Sequence, residues 1–558
     1  MISNILIGGS AGQGIESMAA VLEKTLKRQG FEVFTIRDYM SRVRGGHNFI
    51  QIRFGNERIL SHSEVLDGII AMNGETVKNH MHYLKAEGFV ISDEDISDED
   101  SRIIKLPLKK IAAAAGNART VGSVAIGAVL EILGIENADT ETVFAELFSK
   151  EIAEQNYAAC EAGGKQVTRK NNLISGKPDN NILINGNEAV ALGVLASGCK
   201  FYSAYPMTPS TSIMDYLASK MLDSEIVVEQ AEDEIAAIMM AIGASYAGAR
   251  AMTGTSGGGF ALMVEALGLS GMLEVPLVIA EVQRPGPTTG LPTRTEQSDL
   301  KFVISASQGE FPRMVIALKN SEDAFYQTVR AFNLADKYQI PVILLSDQFL
   351  SDSTVTIKPF DFDKVTKNYY IADHKYDENM PYKRYEVTPT GISPRLVPGK
   401  NPGVTVLVDS DEHDEFGHIT ESASVRNDMV DKRMRKFELL KTELEEPEFI
   451  GEDNCEVLLL AWGSTWGPVT EAIKMLNSNS DKKYGALVFG DVWPLPVKLL
   501  KEKAQIAKKV INVEQNATGQ LASIVSEVTG IFCNESILKY DGRPMSSQFI
   551  YNKVRGNE

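Results

Sequence analysis

Arg284 stands within Glu281-Val-Gln-Arg-Pro-Gly-Pro-Thr-Thr-Gly-Leu-Pro-Thr293, where closely spaced prolines restrict the backbone. A guanidinium on so stiff a segment is suited to a bidentate grip on a carboxylate. Thr208 lies between two prolines in Tyr202-Ser-Ala-Tyr-Pro-Met-Thr-Pro-Ser-Thr211. Such a turn presents Thr208 to a crevice; the alternative is a plain helix start with Ser210 or Thr211 as N-cap. Glu229, Glu232, Asp233 and Glu234 then precede a helix of small residues. The helix dipole favours acidic residues at an N-terminus, so most of the four need no further role.

A second kind of chemistry is written near the start. Gly8-Gly9-Ser10-Ala11-Gly12-Gln13-Gly14-Ile15 follows a strand pattern and opens a helix, so Gly9, Gly12 and Gly14 could let backbone amides approach an anion such as a phosphate. No Lys-Ser or Lys-Thr pair ends the loop, which excludes a Walker A site. A dinucleotide site would want an acidic residue about twenty positions on, and Arg37-Asp38 is an ambiguous match. A tight strand-to-helix turn explains the glycines equally well. Arg42 and Arg44, around a Gly-Gly turn that also carries His47, could face the same ligand or be solvated surface arginines.

These residues need elements to hold them. Short apolar runs alternate with helix-length amphipathic stretches, the rhythm of βαβ units and parallel sheets. We divide the chain into an N-terminal α/β block over 1–165, a polar linker over 166–181, a doubly wound α/β domain over 182–352, a proline-interrupted connector over 353–453 and a small α/β domain over 454–558. Ile340-Pro-Val-Ile-Leu-Leu-Ser-Asp is short and apolar enough for a buried parallel strand. The charged segment Asp428 to Glu446 reads as an exposed helix. In the middle domain several strand ends carry unusual loops at one edge, where doubly wound sheets bind ligands.

Composition narrows the function. The 558 residues exceed one hydrophobic core, since cores stop growing at roughly 250 to 300 residues. A formal net charge of -18 argues against nucleic acid as a partner. The four cysteines contain no CxxC pair, so neither a zinc site nor an iron–sulfur cluster is written here. With no signal-peptide pattern and no apolar run of the roughly 18 residues that span a bilayer, the expected compartment is the reducing cytoplasm, without membrane.

Four motifs in order, Tyr-Pro-Met-Thr-Pro-Ser, Glu-Asp-Glu-Ile-Ala-Ala, Gly-Thr-Ser-Gly-Gly-Gly and Arg-Pro-Gly-Pro-Thr-Thr-Gly-Leu-Pro-Thr, resemble the alpha subunit of the thiamine-diphosphate-dependent 2-oxoacid:ferredoxin oxidoreductases. Gly-Gly-Ser-Ala-Gly-Gln-Gly-Ile and Arg-Val-Arg-Gly-Gly-His resemble their gamma subunit. Val513-Glu-Gln-Asn-Ala-Thr-Gly-Gln-Leu resembles their transketolase-C-terminal-like domain. The resemblance thus covers nearly the whole chain as a gamma-type domain fused to a pyrimidine-binding alpha domain and a transketolase-C-like α/β domain.

It implies that Glu234 is the carboxylate that hydrogen-bonds the aminopyrimidine of thiamine diphosphate, with Tyr205, Pro206 and Thr208 beside the cofactor. Thr208, Arg284 and Thr293 are implied to hold the 2-oxo-carboxylate of the substrate. Met207 replaces the family's usual isoleucine, a volume-conserving exchange. No Gly-Asp-Gly with a following Asn-Asn brings magnesium to the diphosphate; Gly490-Asp491-Val492 is the nearest phrase. The resemblance therefore places the diphosphate site, Mg2+ and a [4Fe–4S] cluster on a separate beta subunit, with coenzyme A as co-substrate, ferredoxin as acceptor and an αβ or (αβ)2 assembly. Fused chains of this type act on 2-oxoglutarate, pyruvate or broader 2-oxoacid sets, and 2-oxoglutarate is favoured. The competing readings are half of another thiamine-dependent enzyme and a nucleotide-binding regulatory protein.

Overall fold

A computed structural model describes residues 2–41, 46–171, 173, 176, 179–372 and 381–556. Its chain forms two compact units. One comprises Met1–Asn185, Asp352–Pro359 and Ser546–Phe549; the other comprises Gly186–Ser351, Phe360–Met545 and Ile550–Glu558.

The first unit is built on an eight-stranded sheet in the order Ile103–Leu106, Leu84–Asp93, Leu66–Ala71, Ile2–Gly9, Asn48–Gly55, Glu32–Asp38, Thr354–Ile357, Ile182–Ile184. Alternating strands and helices suggest an all-parallel sheet here, but Asn48–Gly55 pairs antiparallel with both Ile2–Gly9 and Glu32–Asp38. The cause is local. Only nine residues separate Asp38 from Asn48, fewer than the dozen or more that the crossover to a parallel neighbour needs, so the third strand runs back between the first two.

Helix Ile15–Arg28 packs on this sheet through Ile15, Met18, Ala19, Leu22 and Leu26, the spacing of one helical face. Glu16 in its first turn and Lys27 and Arg28 in its last complement the dipole. Helices Val121–Leu133 and Lys150–Gly164 approach so closely that a Cβ at Gly127 would overlap the Cys160 carbonyl, and one at Gly163 the Val124 carbonyl. Two glycines remove the side chains that would hold these helices apart.

The second unit contains a seven-stranded sheet in the order Asp491–Trp493, Met314–Ala317, Pro341–Asp347, Leu277–Gln283, Ala251–Thr255, Phe201–Ala204, Val227–Gln230. All neighbours are parallel except the edge strand Asp491–Trp493. Pro341–Asp347 is buried along its whole length, as an apolar strand covered on both faces must be. A five-stranded sheet, Glu448–Gly451, Tyr484–Phe489, Val457–Trp462, Lys509–Glu514 and Glu535–Leu538, carries the C-terminal α/β domain.

The connector helix departs from expectation. It runs Ala423–Leu440 and is not an exposed helix, because Met429, Lys432, Arg433, Lys436 and Leu440 are buried. Charge periodicity misleads here because three of the buried side chains are cations whose partners come from distant segments. Lys432 lies 2.6 Å from Glu274, Lys436 also pairs with Glu274, and Arg433 grips Glu412 at 2.8 Å.

Candidate active site

From Phe201–Ala204 the chain moves outward to the edge strand Val227–Gln230, then crosses back to Ala251–Thr255 on the other side. Strand order therefore reverses between Phe201–Ala204 and Ala251–Thr255, and the carboxyl ends of such a pair are where doubly wound sheets bind ligands. The turn Tyr205–Pro209 leaves the first of these strands, and Ser256 leads into helix Gly257–Leu273 from the second. Arg284 leaves the next strand over.

The four acidic residues separate by role. Asp233 is the N-cap of helix Glu234–Tyr246 and accepts a hydrogen bond of 2.8 Å from the Ala236 amide. Glu229 and Glu232 are exposed. Glu234 alone turns inward, 4% exposed, and its Oε1 has no hydrogen-bond partner within the chain. A buried oxygen left so costs about 1–3 kcal/mol, which a donor from a ligand would recover. The space for this carboxylate is made by glycine: a Cβ at Gly259 would overlap Thr255 Oγ1 and lie 2.6 Å from Glu234 Oε1. Thr255 Oγ1 in turn reaches Met207 Sδ at 3.7 Å, so the turn bearing Thr208 meets the Glu234 pocket.

Arg284 donates from Nη1 to the carbonyl oxygen of Thr208 at 2.7 Å. The structure thereby brings together two of the three residues implied to hold the substrate carboxylate. Burial lowers the Arg284 pKa from its usual value, a sign that the guanidinium is partly stripped of water. Thr293 is buried further along the same loop. Tyr205 is 40% exposed and Pro206 half-buried at the mouth of the turn. Ser210 is the N-cap of the following helix, yet its hydroxyl donates to the Met207 carbonyl at 2.7 Å, so it braces the turn.

Sequence reasoning missed the residues that hold the Arg284 loop. Gln297 donates from its amide to the Gln515 carbonyl at 2.7 Å and from its side chain to the Trp462 carbonyl at 2.8 Å, and its own carbonyl accepts from Asn516 at 3.0 Å. Glu514, fully buried, accepts from the Trp462 indole, Asn516 and the Leu521 amide. The Val513-Glu-Gln-Asn segment is thus a bracket for the loop, a role its position after a strand did not reveal.

In the first unit Gly12 and Gly14 adopt positive φ, 91° and 75°, in an exposed loop capping helix Ile15–Arg28. Gln13 occupies part of the turn, accepting from the Ser10 amide at 2.7 Å and donating to the Met72 carbonyl at 3.1 Å. Gly9 is buried at the strand end. Arg37 is committed to Glu23 and Glu16, so it is an internal ion-pair residue. Arg42 and Arg44 lie outside the described residues. Asp491, in the nearest likeness to a magnesium motif, is buried and held by both terminal nitrogens of Arg330 at 2.6 and 2.7 Å. No helix among the described residues is long and apolar enough to cross a membrane.

Comparison with known proteins agrees with this geometry. The family described as "Pyruvate flavodoxin/ferredoxin oxidoreductase, thiamine diP-bdg" matches residues 192–432, and "Pyruvate ferredoxin/flavodoxin oxidoreductase" matches residues 4–166. The chain is 31% identical to the 2-oxoacid:ferredoxin oxidoreductase 2 alpha subunit of Aeropyrum pernix, covering 99% of this chain and 97% of that one. It belongs to the 2-oxoacid:ferredoxin oxidoreductase alpha subunits. The 2-oxoglutarate synthase subunit KorA of Methanothermobacter marburgensis is 32% identical over 67% of this chain and 98% of its own. A solved structure, 2-oxoglutarate:ferredoxin oxidoreductase from Magnetococcus marinus with 2-oxoglutarate, coenzyme A and succinyl-CoA bound, superposes with a TM-score of 0.93 at 33% identity. That match covers 100% of this chain and 99% of that one. As an alpha subunit of this family, the chain carries Thr208, Glu234 and Arg284 within the residues that the thiamine-binding family model matches.

Proposed function

We propose that this subunit, together with a separate beta subunit, oxidatively decarboxylates a 2-oxoacid to acyl-coenzyme A and CO2 with ferredoxin as electron acceptor, and that 2-oxoglutarate is the favoured substrate. The observation that carries the reading is Glu234, a buried carboxylate with an unpartnered oxygen in a cradle shaped by Gly259. Thiamine diphosphate, when bound, supplies the nucleophilic carbon and the electron sink for decarboxylation.

Glu234 would hydrogen-bond the aminopyrimidine and favour its imino tautomer, and its burial would keep that hydrogen bond out of competition with water. Tyr205, Pro206 and Thr208 line the cofactor at the strand end. Arg284, steadied by the Thr208 carbonyl, has its remaining donors free to take the substrate carboxylate, with Thr208 and Thr293 beside it. Gly9, Gly12 and Gly14, with Arg42 and Arg44, are a candidate loop for coenzyme A.

The functional domains are 1–165, 182–352 and 454–558, joined by 166–181 and 353–453. Ile235, Met239 and Leu262, exposed on the two helices that enclose Glu234, fit a site completed by another chain. Mg2+ and the [4Fe–4S] cluster are assigned to that beta subunit, in an αβ or (αβ)2 assembly in the cytoplasm. The names of the M. marburgensis and M. marinus relatives support 2-oxoglutarate, and the ligands of the latter structure support coenzyme A.

The test is co-purification with the beta subunit followed by anaerobic, coenzyme-A-dependent viologen reduction over a panel of 2-oxoacids. Activity is expected only in the complex, lost in Glu234→Gln and with raised KM in Arg284→Ala. Full activity in both variants would remove these assignments.

A further inference from the structure

No step of the reaction uses segment 513–521 of the C-terminal domain, although it carries part of the family resemblance. Its contacts lead to the loop that bears Arg284 and Thr293. Between strand Leu277–Gln283 and helix Leu300–Ser305 that loop runs as turns and extended backbone, so no ladder of its own sheet fixes it. Its own domain holds it near the ends: Arg284 on the Thr208 carbonyl at 2.7 Å, and the Asp299 amide on Gln283 Oε1 at 3.0 Å.

Between those ends the C-terminal domain takes over through neutral amides. Fully buried Gln297 uses both its backbone and its side chain. Its amide donates to the Gln515 carbonyl at 2.7 Å, and its Oε1 accepts from the Gln515 amide at 3.2 Å. Its Nε2 donates to the Trp462 carbonyl at 2.8 Å, and its carbonyl accepts from Asn516 Nδ2 at 3.0 Å. Gln520 repeats the pattern, donating to the Ser298 carbonyl at 2.6 Å and accepting from the Lys301 amide at 2.8 Å.

Glu514 orders the donors. Asn516 Nδ2 has two hydrogens, and Glu514 Oε2 takes the second at 2.8 Å, which aims the first at Gln297. The Met545 amide donates to Gln515 Oε1 at 2.7 Å, so the turn before it joins the same bracket. In that turn Gly542, at φ 74°, accepts from the Thr295 amide at 3.4 Å. A Cβ there would lie 2.9 Å from Leu291 Cδ1 and 3.2 Å from Arg294 Cβ. The residues on both sides of Thr293 are thus seated on the C-terminal domain.

We propose that segment 513–521 sets the affinity for the substrate carboxylate, with Gln297 and Asn516 as positioning residues that hold the Thr293 end of the loop in place relative to Arg284. The proposal rests on the reading of Arg284 and Thr293 given above. A site held to its working geometry by groups outside it loses binding when those groups are removed, even though none of them touches the ligand.

The test uses the complex with its beta subunit. Gln297→Met keeps length and volume but leaves the Trp462 carbonyl and the Gln515 amide without partners. It is expected to raise KM for the 2-oxoacid about tenfold, the weight of roughly one hydrogen bond. Turnover should stay within about twofold and thiamine diphosphate affinity should be unchanged, a split that general loosening of the fold does not produce. The double variant Arg284→Ala/Gln297→Met should show no higher KM than Arg284→Ala, because Gln297 acts through the loop. Should Gln297→Met not assemble, Gly542→Ala pushes on Leu291 and Arg294 from the other side and should give the same split. An unchanged KM, equal losses of turnover and cofactor affinity, or a further rise in the double variant above a raised Arg284→Ala value would overturn the proposal. A raised KM in Gln297→Met beside an unchanged one in Arg284→Ala would instead retire the Arg284 reading and leave the positioning of Thr293 standing.

Discussion

Gly259→Ala isolates the Glu234 cradle. The new Cβ would overlap Thr255 Oγ1 and lie 2.6 Å from Oε1 and 2.8 Å from Cγ of Glu234, closer than real Cβ contacts come. Thr255 is fully buried and Glu234 is 4% exposed, so the strain is relieved chiefly by displacing the carboxylate. Overpacking costs about 1–3 kcal/mol, while alanine in place of glycine inside a helix returns about 1 kcal/mol. Net stability should therefore fall by no more than about 2 kcal/mol, a small shift in melting temperature for a chain of this size. A catalytic group displaced by about 1 Å loses on the order of a hundredfold in rate. The assay is viologen reduction by the reconstituted complex, with thiamine diphosphate affinity and thermal unfolding measured alongside. Wild-type turnover and cofactor affinity in Gly259→Ala would refute the claim that Glu234 must occupy this position.

The connector network gives a second prediction. Glu274→Gln would leave Lys432 and Lys436 buried without an anion and should cost about 3–5 kcal/mol in chemical denaturation. Lys436 is the surplus cation, pushed down to about 7 by burial and by Lys432 against the pull of Glu274. Its folded value lies below the unfolded 10.5, so the unfolded chain binds more protons between those values and stability rises with pH across that window. Lys436→Met should be near neutral at pH 7 and should flatten that rise; a large loss on Lys436→Met would show that the pair is needed whole. For Asp491, held by Arg330, Asp491→Asn should destabilise by about 3–5 kcal/mol and leave the magnesium requirement of the complex unchanged, whereas an altered requirement would place metal at this residue.

Much of this molecule is decided locally. Strands such as Pro341–Asp347 and helices such as Ile15–Arg28 follow from the period of their apolar residues, and the loops at strand ends follow from proline and glycine, whose backbone limits are intrinsic. Thr208 and Arg284 could be picked out because their motifs combine stiff backbone with polar groups suited to a carboxylate, whereas Glu234 is singled out of its acidic run only by the family resemblance. Tertiary structure decided what depends on partners far along the chain. It buried Glu234 while exposing Glu229 and Glu232, although all three stand in one acidic run. It drew the lysines of an apparently solvated helix onto Glu274 and turned the third strand of the first sheet antiparallel. It also bracketed the Arg284 loop with Gln297 and Asn516, over two hundred residues apart. Local pattern fixes which backbone a segment prefers; the protonation and burial of a side chain depend on what packs against it, and spacing along the chain does not carry that information.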